Sequence, residues 1–374
     1  MSPGMRFPII KVVGNSCNLA CDYCFYSGKE KPPLRVISAE LIESFIAQFM
    51  EIFSGHTRFV WHGGEPLLAG IPFFEKVVSY ENKYLKSGDS IENLLQTNAV
   101  LISDSWAQFF KNNGFRIGVS LDGNQKSHDL FRKNRNGEGS FQKTMRGIKT
   151  LRRFGIMPGI IQTLTCSNIP NMEEDFRFFT EELGAKGWAI NIYESNSSLN
   201  GKMRDEGLSD QEVAEVYKKL ISLWLKRNDP DLRIREIENL VAGALNRRAK
   251  NCSYNGSCAN YFCLDFDGSI YPCDRLSSDD SSKLGDLRRA SLREILRGEL
   301  MNTRAKKVQT FSVDCLACRW KDACNNGCLA MRDDTTGKFI YCRARQQALD
   351  FLKQLLHAGC DLGNAPHCLE EEGV

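Results

Sequence analysis

The sequence predicts an α/β fold: a partial (β/α)6 barrel followed by a cysteine-rich C-terminal region. Three observations predict it. Short apolar runs alternate with longer amphipathic segments, the units so formed count six rather than eight, and the cysteines gather in two zones separated by a nearly thiol-free stretch. Repeated strand–helix units pair their strands in parallel and place the helices outside.

In chain order the expected strands are "FPIIKVV" (7–13), "TRFVWHG" (57–63), "ENLLQTN" (92–98), "FRIGVSL" (115–121), "GIIQTLT" (159–165) and "GWAINIY" (187–193). Among the intervening helices, "SAELIESFIAQFMEIF" (38–53) has the helical period, with Leu41, Phe45, Phe49 and Ile52 on one face. Ser209 and Glu212 make a capping box for a helix that bridges the two cysteine zones. "RARQQALDFLKQLLH" (343–357) reads as a closing helix, and the residues after it as a polar, frayed tail. The domains expected are therefore the barrel at 1–205, a bridging helical segment at 206–250, the cysteine-rich domain at 251–346 and a helix and tail at 347–374. Functional side chains belong at the C-terminal ends of such strands, and the first cysteines come directly after the first strand.

Composition bounds the function. At 374 residues the chain exceeds one small core, and 42% hydrophobic with 25% charged residues is ordinary globular composition. A net charge of +3 is too mild to argue for nucleic acid or a charged membrane surface. Ile9, Ile10, Val12 and Val13 are interrupted by Lys11, so no signal segment is expected. No run of about 18 apolar residues offers a membrane span. Fifteen cysteines, an odd number, in a chain without secretion signals point to metal ligands in a reducing cytoplasm.

The first zone, "SCNLACDYCFY", sets Cys17, Cys21 and Cys24 on one loop, with no fourth thiol until Cys166. Three thiolates fit an iron-sulfur cube with one open iron, and a catalytic zinc with an open position is the lesser alternative. Cx3Cx2C after a first strand, with Tyr23 inside the motif and Phe25 just after it, resembles the radical S-adenosylmethionine (SAM) superfamily. The resemblance implies a [4Fe–4S] cluster on Cys17, Cys21 and Cys24, its fourth iron chelated by the amino and carboxylate groups of SAM. It further implies cleavage of SAM to a 5′-deoxyadenosyl radical that takes a hydrogen atom from the substrate. Other motifs match in order: Gly63, Gly64 and Glu65 of "HGGEP", with Glu65 supplying a carboxylate for the SAM ammonium; Gln96 and Asn98 of "QTN"; Ser120 and Asp122 of "SLDG"; and Arg132 of "HDLFR", for a carboxylate.

The second zone reads Cys252-x5-Cys258, Gly268-x4-Cys273, Cys315-x2-Cys318-x5-Cys324-x3-Cys328, then Cys342. This resembles the SPASM domain of peptide-modifying radical SAM enzymes. The resemblance implies two auxiliary [4Fe–4S] clusters, one on Cys252, Cys258, Cys273 and Cys328, the other on Cys315, Cys318, Cys324 and Cys342, hence three clusters in all. Two structural zincs are the competing occupants. Asp274, directly after Cys273, matches the aspartate that deprotonates substrate Cys or Ser in anaerobic sulfatase-maturating enzymes.

Two peptide reactions fit. "HGGEPLLAG" and "PCDRL" resemble maturases of ribosomally made peptides that form cyclophane-type crosslinks, the reading favoured on sequence. Sulfatase maturation, the oxidation of Cys or Ser to formylglycine, is the alternative. "RLSSDD" after Asp274 and "LAMRDD" after Cys328 depart from its usual pattern. Either reaction takes a peptide or protein substrate and a reductant such as flavodoxin or ferredoxin. No leader-binding module precedes the first strand, so a leader is expected to dock elsewhere. Cys166, Cys263, Cys360 and Cys368 fall outside the cluster pattern, and Cys166 is expected to pack in the core.

Overall fold

A computed structural model of the chain describes residues 7–24, 33–195, 201–277 and 279–358. The elements that matter for the site are β1 (Phe7–Lys11), α1 (Ala39–Ile52), β2 (His56–His62), α2 (Ile71–Tyr84), β3 (Ser90–Thr97), α3 (Asp104–Asn112), β4 (Arg116–Ser120), α4 (Phe141–Arg153), β5 (Gly159–Leu164) and β6 (Gly187–Ile192). They continue with α5 (Asp210–Arg227), α6 (Arg235–Ala244), β7 (Tyr261–Asp265), β8 (Ser269–Tyr271) and α7 (Cys342–His357). All six expected strands are present, each within a few residues of its expected bounds.

The chain divides into two compact units that interleave along the sequence. The first comprises Met1–Leu121, His128–Pro158 and Ala259–Lys306, the second Asp122–Ser127, Gly159–Cys258 and Lys307–Val374. In the first, β1, β2, β3 and β4 pair in parallel, each with the next. On its other edge β1 pairs in parallel with β7, Ile9 opposite Cys263 and Lys11 opposite Asp265, and β7 turns back into antiparallel β8. In the second unit β5 and β6 pair in parallel.

Burial explains the helices. α1 starts at Ser38, whose hydroxyl accepts the Leu41 amide. Its buried stripe is Ile42, Phe45, Ile46, Phe49 and Met50. Leu41 and Ile52, expected on that face, sit at its margins, because the stripe that meets the sheet is turned toward Ile42 and Ile46. Phe45 and Phe49 pack on Phe59 of β2 and Phe262 of β7. In the second unit the Ser209–Glu212 capping box starts α5. The Asp210 carboxylate then accepts the Arg343 and Ala344 amides, capping α7 at the residues after Cys342. No helix among the described residues is long and apolar enough to cross a membrane.

A buried carboxyl inside the first unit contributes to the pH dependence of folding. Glu81 of α2 is buried and accepts from Asn93 Nδ2 at 2.8 Å, while Asn93 Oδ1 accepts from Trp61 Nε1 at 2.7 Å. Burial pushes the Glu81 carboxyl from 4.5 up to about 8, against the Asn93 hydrogen bond. Between those values the folded chain holds a proton that the unfolded chain releases, so stability falls as pH rises. Glu81→Gln should reduce this loss: the drop in thermal midpoint between about pH 4.5 and 8 is expected to be smaller in the variant than in the parent, with another buried carboxyl, Glu65, raised to about 7, still contributing.

Candidate active site

The loop after β1 carries Cys17, Cys21 and Cys24, all half-buried. Its shape comes from the segment after "HDLF". The Ala20 amide donates to the Lys133 carbonyl at 2.8 Å and the Asp22 amide to the Phe131 carbonyl at 2.9 Å. Leu19 bridges to Asn134, Lys133 Nζ pairs with Asp22 at 2.9 Å, and Arg135 donates to the Cys17 carbonyl at 2.8 Å. Tyr23 lies against Phe131, with the Arg132 guanidinium 5.3 Å from its ring centroid. The Leu19 amide and Asn98 Nδ2 approach Cys17 Sγ at 3.4 and 3.7 Å. Such donors favour the thiolate that an iron ligand must be. Phe25 lies outside the described residues, as do Cys360 and Cys368.

"HGGEP" presses on the same loop from β2. The Gly64 amide donates to the Gly14 carbonyl at 2.7 Å and the Glu65 amide to the Ser16 carbonyl at 2.8 Å. Gly63 has φ +105°, and a Cβ there would stand 2.9 Å from the Gly14 oxygen. At Gly64 a Cβ would come within 1.9 Å of the Ser16 oxygen. These glycines are required by backbone lying on backbone.

Two expected carboxylates are engaged within the protein. Glu65 is fully buried; Oε1 accepts from Leu67 N at 3.1 Å and Thr97 Oγ1 at 2.8 Å, and Oε2 from Asn98 N at 2.8 Å. Burial pushes its carboxyl up to about 7, opposed by those hydrogen bonds. Glu65 therefore clamps the ends of β2 and β3. Asp122 is likewise buried, with Oδ1 accepting the Thr163 amide at 2.9 Å, so it caps the backbone of β5. Asn98 accepts the Val100 amide and donates to Asn18 at 2.8 Å, beside Cys17. Gln96 donates to Ser120 Oγ at 2.9 Å across the ends of β3 and β4, in space that any side chain at Gly118 would fill.

Asp274 opens a single helical turn after Cys273 and is half-buried. A buried lysine that no motif marks fixes that turn. Lys11 Nζ, at the end of β1, pairs with Asp265 at 2.8 Å and donates to Ser277 Oγ at 3.2 Å and Asn15 Oδ1 at 3.3 Å. Ser277 Oγ in turn donates to the Asp274 carbonyl at 2.8 Å. One ammonium thus ties the Cys273–Ser277 turn to the start of the cysteine loop. Cys263, on β7 nearby, is fully buried, and burial pushes its thiol well up.

In the second unit Cys315, Cys318, Cys324 and Cys342 line one cavity of about 370 Å³. Burial pushes the Cys342 thiol up to about 11, and the sulfurs of Cys324, Cys315 and Cys318 add to the shift. Four thiols facing one space with a buried guanidinium, Arg345, suit an anionic iron-sulfur cube. Cys252, Cys258 and Cys328 belong to this unit and Cys273 to the first. Arg332 feels Cys258 and Cys328 as well as Cys315 and Cys324. Cys166 follows β5, half-buried, and donates to the Gly207 carbonyl at 3.2 Å. Asn18, Arg135, Lys11 and Arg345 are site residues that sequence reasoning missed. Only Arg135 carried a signal, its place beside "HDLFR".

The Radical SAM superfamily model matches residues 12–177, and that of the SPASM iron-sulfur cluster-binding domain matches 252–326. The chain is 28% identical over 353 residues to the cysteine-type anaerobic sulfatase-maturating enzyme of Clostridium perfringens, covering 92% of this chain and 95% of that one. It is 28% identical over 381 residues to the serine-type enzyme of Bacteroides thetaiotaomicron, covering 94% and 92%. The solved structure of native anSMEcpe with bound AdoMet and Cp18Cys peptide superposes with a TM-score of 0.84 at 26% identity, covering 95% of this chain and 99% of that one. The strand-end motifs, the two cysteine zones and these likenesses lead to one conclusion: the chain is a radical SAM enzyme with a C-terminal SPASM domain, similar over most of its length to anaerobic sulfatase-maturating enzymes.

Proposed function

We propose that the protein oxidises a Cys or Ser side chain of a bound peptide or protein to formylglycine. The observation that carries this is likeness over more than nine-tenths of both chains to enzymes of that activity, one cysteine-type and one serine-type. It favours the second of the two sequence readings over crosslinking. Support for a peptide substrate comes from the similar structure with its peptide.

When bound, the cluster on Cys17, Cys21 and Cys24 supplies, with SAM, the radical that takes a hydrogen atom from the substrate Cβ. The chain's own residues do the rest. Gly63, Gly64, Gln96, Asn98, Ser120, Tyr23 and Arg132 shape the SAM site, with Glu65 and Asp122 holding its backbone. Asp274 takes the proton from the substrate thiol or hydroxyl, held for that purpose by the Lys11–Ser277 link. Cys252, Cys258, Cys273 and Cys328 would hold one auxiliary cluster, and Cys315, Cys318, Cys324 and Cys342 the other; these would supply the acceptor for the one electron that the substrate radical gives up. A flavodoxin or ferredoxin supplies electrons.

The test is anaerobic turnover of peptides bearing a single Cys or Ser, read by mass spectrometry. In a cysteine peptide formylglycine replaces the sulfur by an aldehyde oxygen, water entering and sulfide leaving, whereas loss of two hydrogens with sulfur retained would establish a crosslink instead. In a serine peptide both products lose two hydrogens, and an aldehyde-specific label tells them apart. Asp274→Asn should still release 5′-deoxyadenosine while product formation falls about 100-fold or more.

A further inference from the structure

The cavity lined by Cys315, Cys318, Cys324 and Cys342 has a charged wall that the proposed reaction does not use. Arg345, on α7, is 2% exposed. Its guanidinium lies 3.9 Å from the Tyr254 ring centroid and 4.4 Å from that of Phe339. Nη1 donates to the Ser253 carbonyl at 2.6 Å and the Cys324 carbonyl at 3.3 Å, and reaches Cys324 Sγ at 3.7 Å. No carboxylate among the described residues forms an ion pair with it; its charge faces the two aromatic rings and the Cys324 sulfur. A buried cation without a counter-charge is strongly unfavourable. Of the cavity's carboxylates, Asp210 is taken by the Arg343 and Ala344 amides and Asp314 by Lys338, which leaves the sulfur set to face Arg345. Gln346 adds an N–H to Cys318 Sγ at 3.3 Å, and the Trp320 amide another at 3.4 Å.

We infer that Arg345 sets the reduction potential of the auxiliary cluster on Cys315, Cys318, Cys324 and Cys342, holding it higher than the thiolates alone would. Charge and N–H donors to sulfur are the terms by which a protein moves such a potential. A cation in a water-poor wall stabilises the reduced cluster, which carries one more negative charge, more than the oxidised one. The same guanidinium bonds the carbonyl of Ser253, beside Cys252, so it also braces the ligand segment assigned to the other auxiliary cluster. Its place on α7 is fixed from the first turn, where Asp210 accepts the amides of the two residues just before it. This rests on the auxiliary-cluster reading of the second zone.

The experiment is a redox titration followed by electron paramagnetic resonance. It uses the full, reconstituted chain with Cys17, Cys21 and Cys24 all changed to Ala, so that only auxiliary signals remain. Iron is counted first: about eight per chain supports two auxiliary clusters, whereas four or fewer in this parent overturns the reading on which the inference rests. Arg345→Gln, which removes the charge, should lower the reduced-to-oxidised ratio at the parent midpoint about tenfold, a shift of about 59 mV for a one-electron couple. Arg345→Lys should recover most of it. A parent-like midpoint for Arg345→Gln with full iron would overturn the inference, as would a fall in Arg345→Lys as large as in Arg345→Gln. If Arg345→Gln fails to assemble the cluster, Gln346→Leu decides: it removes one donor to Cys318 while keeping the cation. A smaller downward shift then supports tuning from this wall, and an unchanged midpoint overturns it.

Discussion

Lys11→Met is expected to destabilise the first unit by about 3–5 kcal/mol and to uncouple SAM cleavage from product formation. The substitution leaves Asp265 as a buried, unpaired carboxylate, and it strips Ser277 and Asn15 of their shared donor. Thermal unfolding of the cluster-loaded enzyme reads the first effect. The second is read as the ratio of 5′-deoxyadenosine to modified peptide, which should rise as the Cys273–Ser277 turn loosens around Asp274. The double variant Lys11→Met, Asp265→Leu separates the two. Removing both charges restores most of the stability, but Ser277 still lacks its partner, so the ratio should stay high. Recovery of both together would show that Lys11 serves folding alone.

Gly64→Ala should abolish SAM cleavage. The new Cβ would stand 1.9 Å from the Ser16 oxygen and 2.5 Å from the Ser16 carbonyl carbon, both backbone atoms that no rotamer change can move. The "HGGEP" loop must then lift off residues 14–16, losing the Gly64–Gly14 and Glu65–Ser16 hydrogen bonds. Iron should fall by about four atoms per chain as the neighbouring triad is lost. Gly159→Ala is the control. Nothing lies within 4 Å of a Cβ there, and its φ is not positive, so its effect should stay within about 0.5 kcal/mol. Normal SAM cleavage by Gly64→Ala would mean that the two loops need not touch.

The six strands were legible because each is a short apolar run between turn residues, and α1 because its period is helical. The exact stripe of α1 was not, since a sheet with Phe59 and Phe262 on its surface selects among overlapping apolar faces. Motifs marked which residues cluster at the strand ends but not what each side chain does there. Glu65 read as a carboxylate for an ammonium and Asp122 as a cofactor-site residue; the hydrogen bonds by which both also brace neighbouring backbone are not written in the motifs. Lys11 and Arg345 are charged residues in amphipathic surroundings, which on sequence alone belong to solvent. What buries Lys11 is a partner 254 residues away, on a strand whose parallel pairing with β1 no local period announces.

The ladder between the first cysteine loop and residues 131–135 makes the three cysteines one mechanical unit. The Ala20 and Asp22 amides, the Leu19–Asn134 bridge and the Arg135 side chain join the loop to that segment along its length. A change anywhere in 131–135 is therefore felt at Cys17, Cys21 and Cys24 together, although more than a hundred residues of chain separate the two segments.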